Sequence, residues 1–171
     1  GFRGFDERLA LEAMVKTVTV PHEGREKENW EIYEKYGYLP FDLVPYESCS
    51  RTLEQSFDDW CLAQYAEALG EREIAAKFRT RAENWKNVFD ASIGFARGKD
   101  SKGRWIEPFD AFAFGHETTV VGCFTEGNSF QYSWHVMQDV PGLVSAMGGR
   151  EKFVERLDSL FTTNQRGPDT K

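Results

Sequence analysis

Apolar side chains recur at helical spacing along much of the 171-residue chain, and the strongest such pattern covers residues 52–69. A second apolar stripe covers residues 71–89, with Lys, Arg and Glu on the opposite face. Gly70 lies between them and is typical of a helix end, so the pattern predicts an antiparallel hairpin of two helices. An earlier helix is predicted over residues 6–18, with Asp6 as its N-cap.

Two segments lack this helical period. Residues 23–35 are strongly charged, which indicates a solvated loop or a short surface helix. Residues 91–122 are interrupted by glycine and proline and are rich in Phe and Trp, which favours an ordered functional loop. Further helices are predicted over residues 128–137, from Asp139 onwards, and over residues 150–161.

These elements predict an all-α architecture, with residues 1–171 forming a single partial domain. No repeat of equal length is clear, which argues against a regular solenoid and leaves a toroid of paired helices joined by long aromatic loops. In such a barrel the active site is expected where the long loops gather at one end, and here those loops are residues 36–50 and 94–128. Residues 162–171 are predicted to be a frayed tail.

Composition narrows the function classes. Hydrophobic residues make up 40% of the chain, enough for a real core, and the formal net charge is -7. This charge argues against a nucleic-acid-binding protein, which would carry clustered Lys and Arg. No stretch approaches the ~20 apolar residues of a membrane span, and the order of residues typical of a signal peptide is absent.

The three cysteines are predicted to be reduced, half-buried thiols. Cys49, Cys61 and Cys123 cannot all pair within one chain, and their spacing does not suggest a zinc site. The chain begins at Gly1 without an initiator Met, so we interpret it as an internal fragment of a larger protein.

Residues 124–134 hold the most informative chemistry, because they set one carboxylate, Glu126, among aromatic rings and amides. Aromatic faces such as that of Trp134 stack on a sugar ring, and amides such as those of Asn128 and Gln131 bind its hydroxyls. An apolar setting raises the pKa of a carboxyl because desolvation penalises its charged form, and a general acid needs a raised pKa. The segment therefore indicates a sugar-cleaving site.

Structural explanations compete with these assignments. Glu126 could simply begin a helix, where an acid complements the helix dipole. Trp134 and Tyr132 could be core residues. Asp58 and Asp59 cannot share one helical face, so one of them is expected to pair with Arg51 or a loop amide and the other to meet solvent or a neighbouring loop.

Several blocks in the same order resemble glycoside hydrolase family 92. They are residues 37–40 (Gly-Tyr-Leu-Pro), 44–54, 58–61 (Asp-Asp-Trp-Cys), 125–128 (Thr-Glu-Gly-Asn), 131–134 (Gln-Tyr-Ser-Trp), and 147–149 (Met-Gly-Gly). The resemblance covers residues 1 to about 161. One departure is at Met137-Gln138-Asp139, where the family pattern is Pro-His-Asp.

The resemblance implies an exo-acting, inverting, calcium-dependent α-mannosidase that acts on α-linked mannose, usually α-1,2. Its catalytic domain is an (α/α)6 barrel preceded by a β-sandwich. Glu126 matches the family's acid motif and would protonate the departing oxygen, with Asn128, Gln131 and Trp134 binding substrate. The base and the calcium ligands would lie outside this chain, in the remainder of the parent catalytic domain.

Further expectations follow from the same resemblance. The partners would be mannose-containing glycans, the location periplasmic or extracellular, and the fragment alone would be inactive. Two alternatives stay open: another helical-barrel glycosidase, such as a trehalase-like or glucoamylase-like enzyme, and a non-catalytic helical module that binds a glycan or a protein.

Overall fold

The computed structural model describes residues 4–21, 29–113 and 123–164, and this part of the chain is mainly helical. The α-helices are α1 (Glu7–Thr17), α2 (Trp30–Tyr36), α3 (Ser48–Ala68), α4 (Arg72–Arg81), α5 (Ser129–Tyr132), α6 (Val140–Ala146) and α7 (Arg150–Thr162). Two 3₁₀ helices cover Ala82–Val88 and Met137–Asp139, and two short strands are β1 (Phe89–Asp90) and β2 (Phe95–Ala96). Within the described residues, no helix combines the length and the apolar character that crossing a membrane requires.

The first helix forms as predicted. The Asp6 side chain accepts hydrogen bonds from the backbone N–H groups of Arg8 and Leu9, which would otherwise have no partner at a helix start. Leu11 is buried against Ala66 and Ala75, so α1 covers the outer side of the α3–α4 hairpin.

The predicted hairpin is confirmed. Helix α3 ends at Ala68, Gly70 adopts the left-handed conformation with φ of 80°, and α4 runs back along α3 from Arg72. Gly70 suits this position because a residue without Cβ adopts positive φ at little steric cost.

Two predicted helix boundaries were wrong. Helix α3 begins at Ser48, about one turn before residue 52. The segment predicted as one helix over residues 71–89 is α-helical only to Arg81, continues as a 3₁₀ helix to Val88 and then enters β1. Trp85 and Val88 are fully buried. The apolar pattern therefore predicted their burial correctly, although the backbone changes from an α-helix to a 3₁₀ helix.

The predicted loop over residues 91–122 begins with a β-turn rather than with irregular chain. β1 and β2 pair antiparallel, with Phe89 opposite Ala96 and Asp90 opposite Phe95. Residues 114–122 lie outside the described part of the chain, as do His22, His116 and most of the predicted tail. Residues 162–164 are described, and α7 extends to Thr162.

The helix predicted over residues 128–137 is much shorter, because α5 is a single turn ending at Tyr132. Two serine side chains hold this turn against β2. The Ser129 hydroxyl donates to the carbonyl of Ala96 at 2.5 Å, and the Ser133 hydroxyl accepts from the Ala96 N–H at 2.7 Å. The restart at Asp139 is confirmed, since its carboxylate accepts the N–H of Gly142 in the first turn of α6.

The largest core cluster lies between α3, the 3₁₀ helix after α4, the β-hairpin and the C-terminal helices. Its buried members include Cys49, Leu53, Trp85, Val88, Phe89, Ile106, Cys123, Phe124, Val136, Leu143 and Met147. This cluster joins the N-terminal hairpin to the segment that carries Glu126, and it therefore sets where that carboxylate lies.

Candidate active site

Glu126 lies on an open cleft of about 560 Å³. The cleft is lined by Glu54, Thr125, Glu126, Gly127, Gln131, Tyr132, Trp134, His135 and Met137. The predicted residues Glu126, Gln131 and Trp134 therefore share one cavity with a second carboxylate, from α3, that the sequence did not single out as part of this site.

The backbone at Glu126 is unusual, with φ of 45° in the left-handed region. A residue other than glycine seldom adopts this conformation unless surrounding contacts hold it there. Its side chain is exposed to the cleft. Gly127, the next residue, is buried, and a Cβ built on it would lie 3.0 Å from Cε2 of Tyr132 and 3.1 Å from Oε1 of Gln131.

The loop that carries Glu126 is hydrogen-bonded to the start of α3. The carbonyl of Cys123 accepts from the N–H groups of Cys49 and Ser50 at 2.9 and 3.0 Å. The Ser50 hydroxyl accepts the N–H of Thr125 at 3.0 Å. These contacts also explain the early start of α3, because a distant carbonyl takes the place of a side-chain cap.

Tyr132 forms one wall of the cleft. Its ring stacks on Phe124 with centroids 5.6 Å apart, and its hydroxyl donates to Oε1 of Glu54 at 3.3 Å. Burial first, and then the negative charge of Glu54, raises the pKa of the Tyr132 phenol, so the hydroxyl stays protonated and remains a donor. Glu54 is thereby oriented beside the cleft.

Trp134 packs against the core and also borders the cleft. Its ring packs edge-to-face on Phe153 of α7, with centroids 5.4 Å apart, and it also borders the cleft. The ring is only half-buried, so part of its surface is available to a ligand. His135, in the loop after α5, also lines the cleft, and the centroid of its ring lies 6.0 Å from that of Phe57.

Asn128 is placed differently from Gln131. Its side-chain oxygen accepts the backbone N–H of Gln131 at 3.0 Å and so caps α5, and Asn128 is not among the residues that line the cleft. Gln131 is exposed and borders the cleft. Binding of substrate by Asn128 stays a prediction.

The paired acids on α3 have separate partners. Asp59 is buried and pairs with Arg81 of α4, so the expected pairing with Arg51 or a loop amide was wrong for this residue. Asp58 is exposed as a residue, but its carboxyl is partly desolvated, and this raises its pKa although the nearby His135 opposes the rise. Residues one apart on a helix point about 100° apart, which is why one faces the core and the other the cleft side.

The described residues contain no cluster of ionisable ligand side chains suited to a metal ion. Across residues 4–21, 29–113 and 123–164, no group of three or more His, Cys, Asp or Glu side chains is arranged to hold a metal ion.

The cysteines agree with the prediction of free thiols. Cys49 and Cys123 are buried and Cys61 is partly exposed, all unpaired. Burial raises the pKa of the Cys123 thiol to about 11, which keeps it protonated and unreactive near neutral pH.

Sequence reasoning placed Thr125 in the site segment 124–134 but did not place Glu54 or Met137 at the cleft. Glu54 carried a weak signal, because it occupies a polar position within the apolar stripe of α3, one turn beyond the loop of residues 36–50. Met137 stands in the block that departs from the family pattern, and its side chain is 55% exposed at the cleft.

Known proteins resemble the chain closely. The sequence pattern of the glycosyl hydrolase family 92 catalytic domain matches residues 1–171. A family GH92 α-mannosidase from Bacteroides thetaiotaomicron is 39% identical over 95% of this chain and 20% of its own, with a TM-score of 0.83. A family GH92 inverting mannosidase from the same organism is 38% identical over 94% of this chain and 21% of its own, with a TM-score of 0.84.

A curated relative extends the comparison beyond bacteria of that genus. An uncharacterized secreted glycosidase from Arthroderma benhamiae is 29% identical over 191 aligned residues, which cover 93% of this chain and 24% of the relative. The chain thus spans about a fifth to a quarter of the length of these proteins.

The match over the whole chain also separates it from trehalase-like and glucoamylase-like barrels, which share paired helices but not this sequence pattern. Its helical hairpins form part of the (α/α)6 barrel seen in its structural neighbours. With Glu126 in a cleft of aromatic and amide side chains and the family pattern matching from end to end, the chain belongs to glycosyl hydrolase family 92.

Proposed function

We propose that this chain supplies the general acid of an inverting α-mannosidase, with Glu126 as the proton donor. The observation that carries the proposal is the position of Glu126, exposed on a cleft beside Gln131 and Trp134, in a chain 38–39% identical to mannosidases. Mannose-containing glycans, with an α-1,2 linkage at the cleaved bond, are the proposed substrates.

The residues of the cleft have separate tasks in this proposal. The half-buried Trp134 ring stacks on a sugar face, and the exposed Gln131 amide hydrogen-bonds sugar hydroxyls. The Glu126 carboxyl gives its proton to the glycosidic oxygen as the bond to the anomeric carbon breaks. This transfer makes the leaving group a neutral alcohol.

Inversion requires a second carboxylate on the opposite face of the sugar. Inverting glycosidases place the two carboxyl groups roughly 6.5 to 9.5 Å apart, so that a water molecule fits between the base and the anomeric carbon. Oε1 of Glu54 accepts the Tyr132 hydroxyl, and the family resemblance implies that the base lies outside this chain. We therefore assign the base to the remainder of the whole protein, and we expect the isolated chain to be inactive.

Calcium dependence is part of the proposal, with the ligands outside this chain. When bound in such an enzyme, calcium would hold sugar hydroxyls through oxygen coordination. Chelation of the whole protein should abolish hydrolysis of a mannobiose, and added calcium should restore it. Activity that is unchanged after chelation would remove calcium from the proposal.

Secretion is proposed on the name of one relative, the secreted glycosidase from Arthroderma benhamiae. Glycan substrates of an exo-acting mannosidase are abundant outside the cytoplasm, which fits a periplasmic or extracellular location. Fractionation of the source cells, with activity followed in each fraction, tests this location.

The decisive test compares Glu126→Gln with a control in the whole protein. Glu126→Gln should lower kcat on a mannobiose by about 10²–10⁴-fold, the usual contribution of a general acid. Glu67→Gln, at an exposed position near the far end of α3, should leave kcat unchanged. Equal activity of Glu126→Gln and the unaltered enzyme would show that another group donates the proton.

A further inference from the structure

The loop that carries Glu126 is held by the first turn of a long helix. Helix α3 has 21 residues, and the side chain of its N-cap residue does not cap it. The carbonyl of Cys123 accepts from two N–H groups of the first turn, those of Cys49 and Ser50. Glu126 therefore follows, three residues later, a backbone group that is fixed to α3.

Ser50 makes the second connection, and its hydroxyl is fully used. The oxygen lies 3.1 Å from the carbonyl of Glu47, 3.0 Å from the N–H of Thr125 and 3.1 Å from the Thr125 hydroxyl. A serine hydroxyl has one donor and two acceptor positions, so it can donate to Glu47 and accept both groups of Thr125. The residue is completely buried, which shields these bonds from competing water.

Thr125 directly precedes Glu126, and Gly127 directly follows it. Thr125 is held by Ser50, while Gly127 is packed against Tyr132, whose ring stacks on Phe124. Thr125 is thus held by a group 75 residues away in sequence, and Gly127 by the ring of a residue five positions later. This arrangement accounts for the left-handed backbone at Glu126, because a strained conformation persists only where surrounding contacts determine it.

We propose that Ser50 is a positioning residue for the proton donor: by holding both polar groups of Thr125, it sets the direction in which the Glu126 carboxyl points into the cleft. The inference rests on the proposed role of Glu126. Ser50 itself is buried beneath the loop and is not among the cleft-lining residues, so it acts through Thr125.

Loss of the hydroxyl has a defined consequence. In Ser50→Ala the N–H of Thr125 loses its acceptor and the Thr125 hydroxyl loses its contact with Ser50, so the partly buried N–H must find another partner or remain unpaired. The loop would then relax toward an ordinary backbone conformation at Glu126. A misplacement of about 1 Å in a reacting group can cost on the order of 10²-fold in rate.

The test uses two substrates that differ in their need for a proton donor. A mannobiose has a poor leaving group that must be protonated, whereas a dinitrophenyl α-mannoside has a leaving group that departs without help. In the whole protein, Ser50→Ala should lower kcat on the mannobiose by about 10- to 100-fold and should change kcat on the aryl mannoside by less than about 5-fold. The KM values should change little, because Ser50 does not line the cleft.

Ser56→Ala is the matched control. Ser56 is on the same helix and is equally buried, but its hydroxyl donates to the carbonyl of Thr52 and lies near Tyr33, away from the Glu126 loop. It should lower kcat on both substrates by the same factor or not at all. Ser50→Cys keeps a weaker hydrogen-bonding atom at this position. Its kcat loss on the mannobiose, relative to its loss on the aryl mannoside, should lie between that of the unaltered protein and that of Ser50→Ala. This variant replaces Ser50→Ala in the test if Ser50→Ala does not fold.

Two results would overturn the inference. One is an equal loss on both substrates in Ser50→Ala, which would indicate general structural damage. The other is a leaving-group effect, meaning a larger loss of kcat on the mannobiose than on the aryl mannoside, of the same size in Ser56→Ala. If Glu126→Gln shows a leaving-group effect and Ser50→Ala does not, the positioning role alone fails; if Glu126→Gln shows none, the proposed function fails as well.

Discussion

The carboxylate of Asp59 accepts a hydrogen bond from Nε of Arg81 at 3.0 Å in the interior of the α3–α4 hairpin. The two side chains are 1% and 10% exposed, and Oδ1 of Asp59 has no hydrogen-bond partner within the described residues. Burial raises the pKa of Asp59 to about 7, although the adjacent Arg81 opposes this rise. Burial of this carboxyl therefore raises its pKa more than the close ion pair lowers it.

This pair predicts a pH-dependent stability. A carboxyl whose pKa is raised in the folded state binds its proton more tightly when folded, so the contribution of Asp59 to stability is fully present below about pH 4 and is lost as the pH rises to about 7. Because a shift of one pKa unit corresponds to about 1.36 kcal/mol, the free energy of unfolding should lose on the order of 4 kcal/mol across this pH range. Urea denaturation between pH 4 and pH 8 measures this contribution.

The variant that checks this prediction is Asp59→Asn, which keeps an oxygen for Arg81 but does not titrate. Its free energy of unfolding should decrease less between pH 4 and pH 7 than that of the unaltered protein. Asp158→Asn, at an exposed position on α7, should retain the original pH dependence. An unchanged pH dependence in Asp59→Asn would assign the effect to other groups around the pair, such as Tyr33, Asp58 and Glu34.

Arg97 supports the β-hairpin on which α5 rests, and lysine should not replace it. Its Nε and Nη2 both donate to the carbonyl of Ile106, at 3.1 and 2.8 Å, and its Nη1 donates to Asp90 at 3.0 Å. Because Lys lacks this planar set of donors, Arg97→Lys should lower the free energy of unfolding by about 2–3 kcal/mol.

Arg104→Lys is the control for this change. Arg104 also pairs with an aspartate, Asp100, but its side chain is 72% exposed. The Asp100 side chain is only 5% exposed, but it also accepts the backbone N–H groups of Lys102 and Arg104, and a lysine at position 104 keeps a cation beside it, so the control should be nearly neutral in the same denaturation experiment. Similar losses in the two variants would contradict the importance of the buried Ile106 contacts.

Variants of Trp134 and Phe153 should distinguish a role in packing from a role in substrate binding. Each truncation, Trp134→Ala or Phe153→Ala, removes the same edge-to-face contact, and each should cost about 2–4 kcal/mol of stability. Only Trp134 borders the cleft, so only Trp134→Ala should raise KM, by about 3- to 10-fold for the loss of one stacking contact. Steady-state kinetics on a mannobiose with the whole protein compare the two variants; equal KM values would confine Trp134 to the core.

Gly98 and Cys123 should show strong energetic coupling. A Cβ added at Gly98 would lie 2.5 Å from Sγ of Cys123, closer than side chains pack. Gly98→Ala alone should destabilise the protein by about 1–3 kcal/mol through overpacking. The Cys123→Ala variant removes the sulfur but keeps the backbone carbonyl. In that background, Gly98→Ala should cost about 1 kcal/mol less than it does in the unaltered protein. Additive losses in this double-mutant cycle would refute the predicted contact.

Local pattern was sufficient for the elements whose causes are local. The Asp6 cap, the Gly70 turn and the Asp139 cap each depend on groups within three residues, and all three were predicted correctly. The apolar stripe of residues 71–89 was correct about burial but not about backbone type. An apolar position looks the same in an α-helix and in a 3₁₀ helix that packs on the same core.

For the site, the sequence by itself determined that one carboxylate, Glu126, lies among aromatic rings and amides, and its ordered blocks determined the family. Only the tertiary structure decided which groups surround that carboxylate. Glu54 reaches the cleft because the α3 start and the Glu126 loop meet, and Ser50 contacts Thr125 across 75 residues of chain. Periodicity reports the neighbours of a residue within a turn or two, whereas such contacts depend on the path of the whole chain through the core.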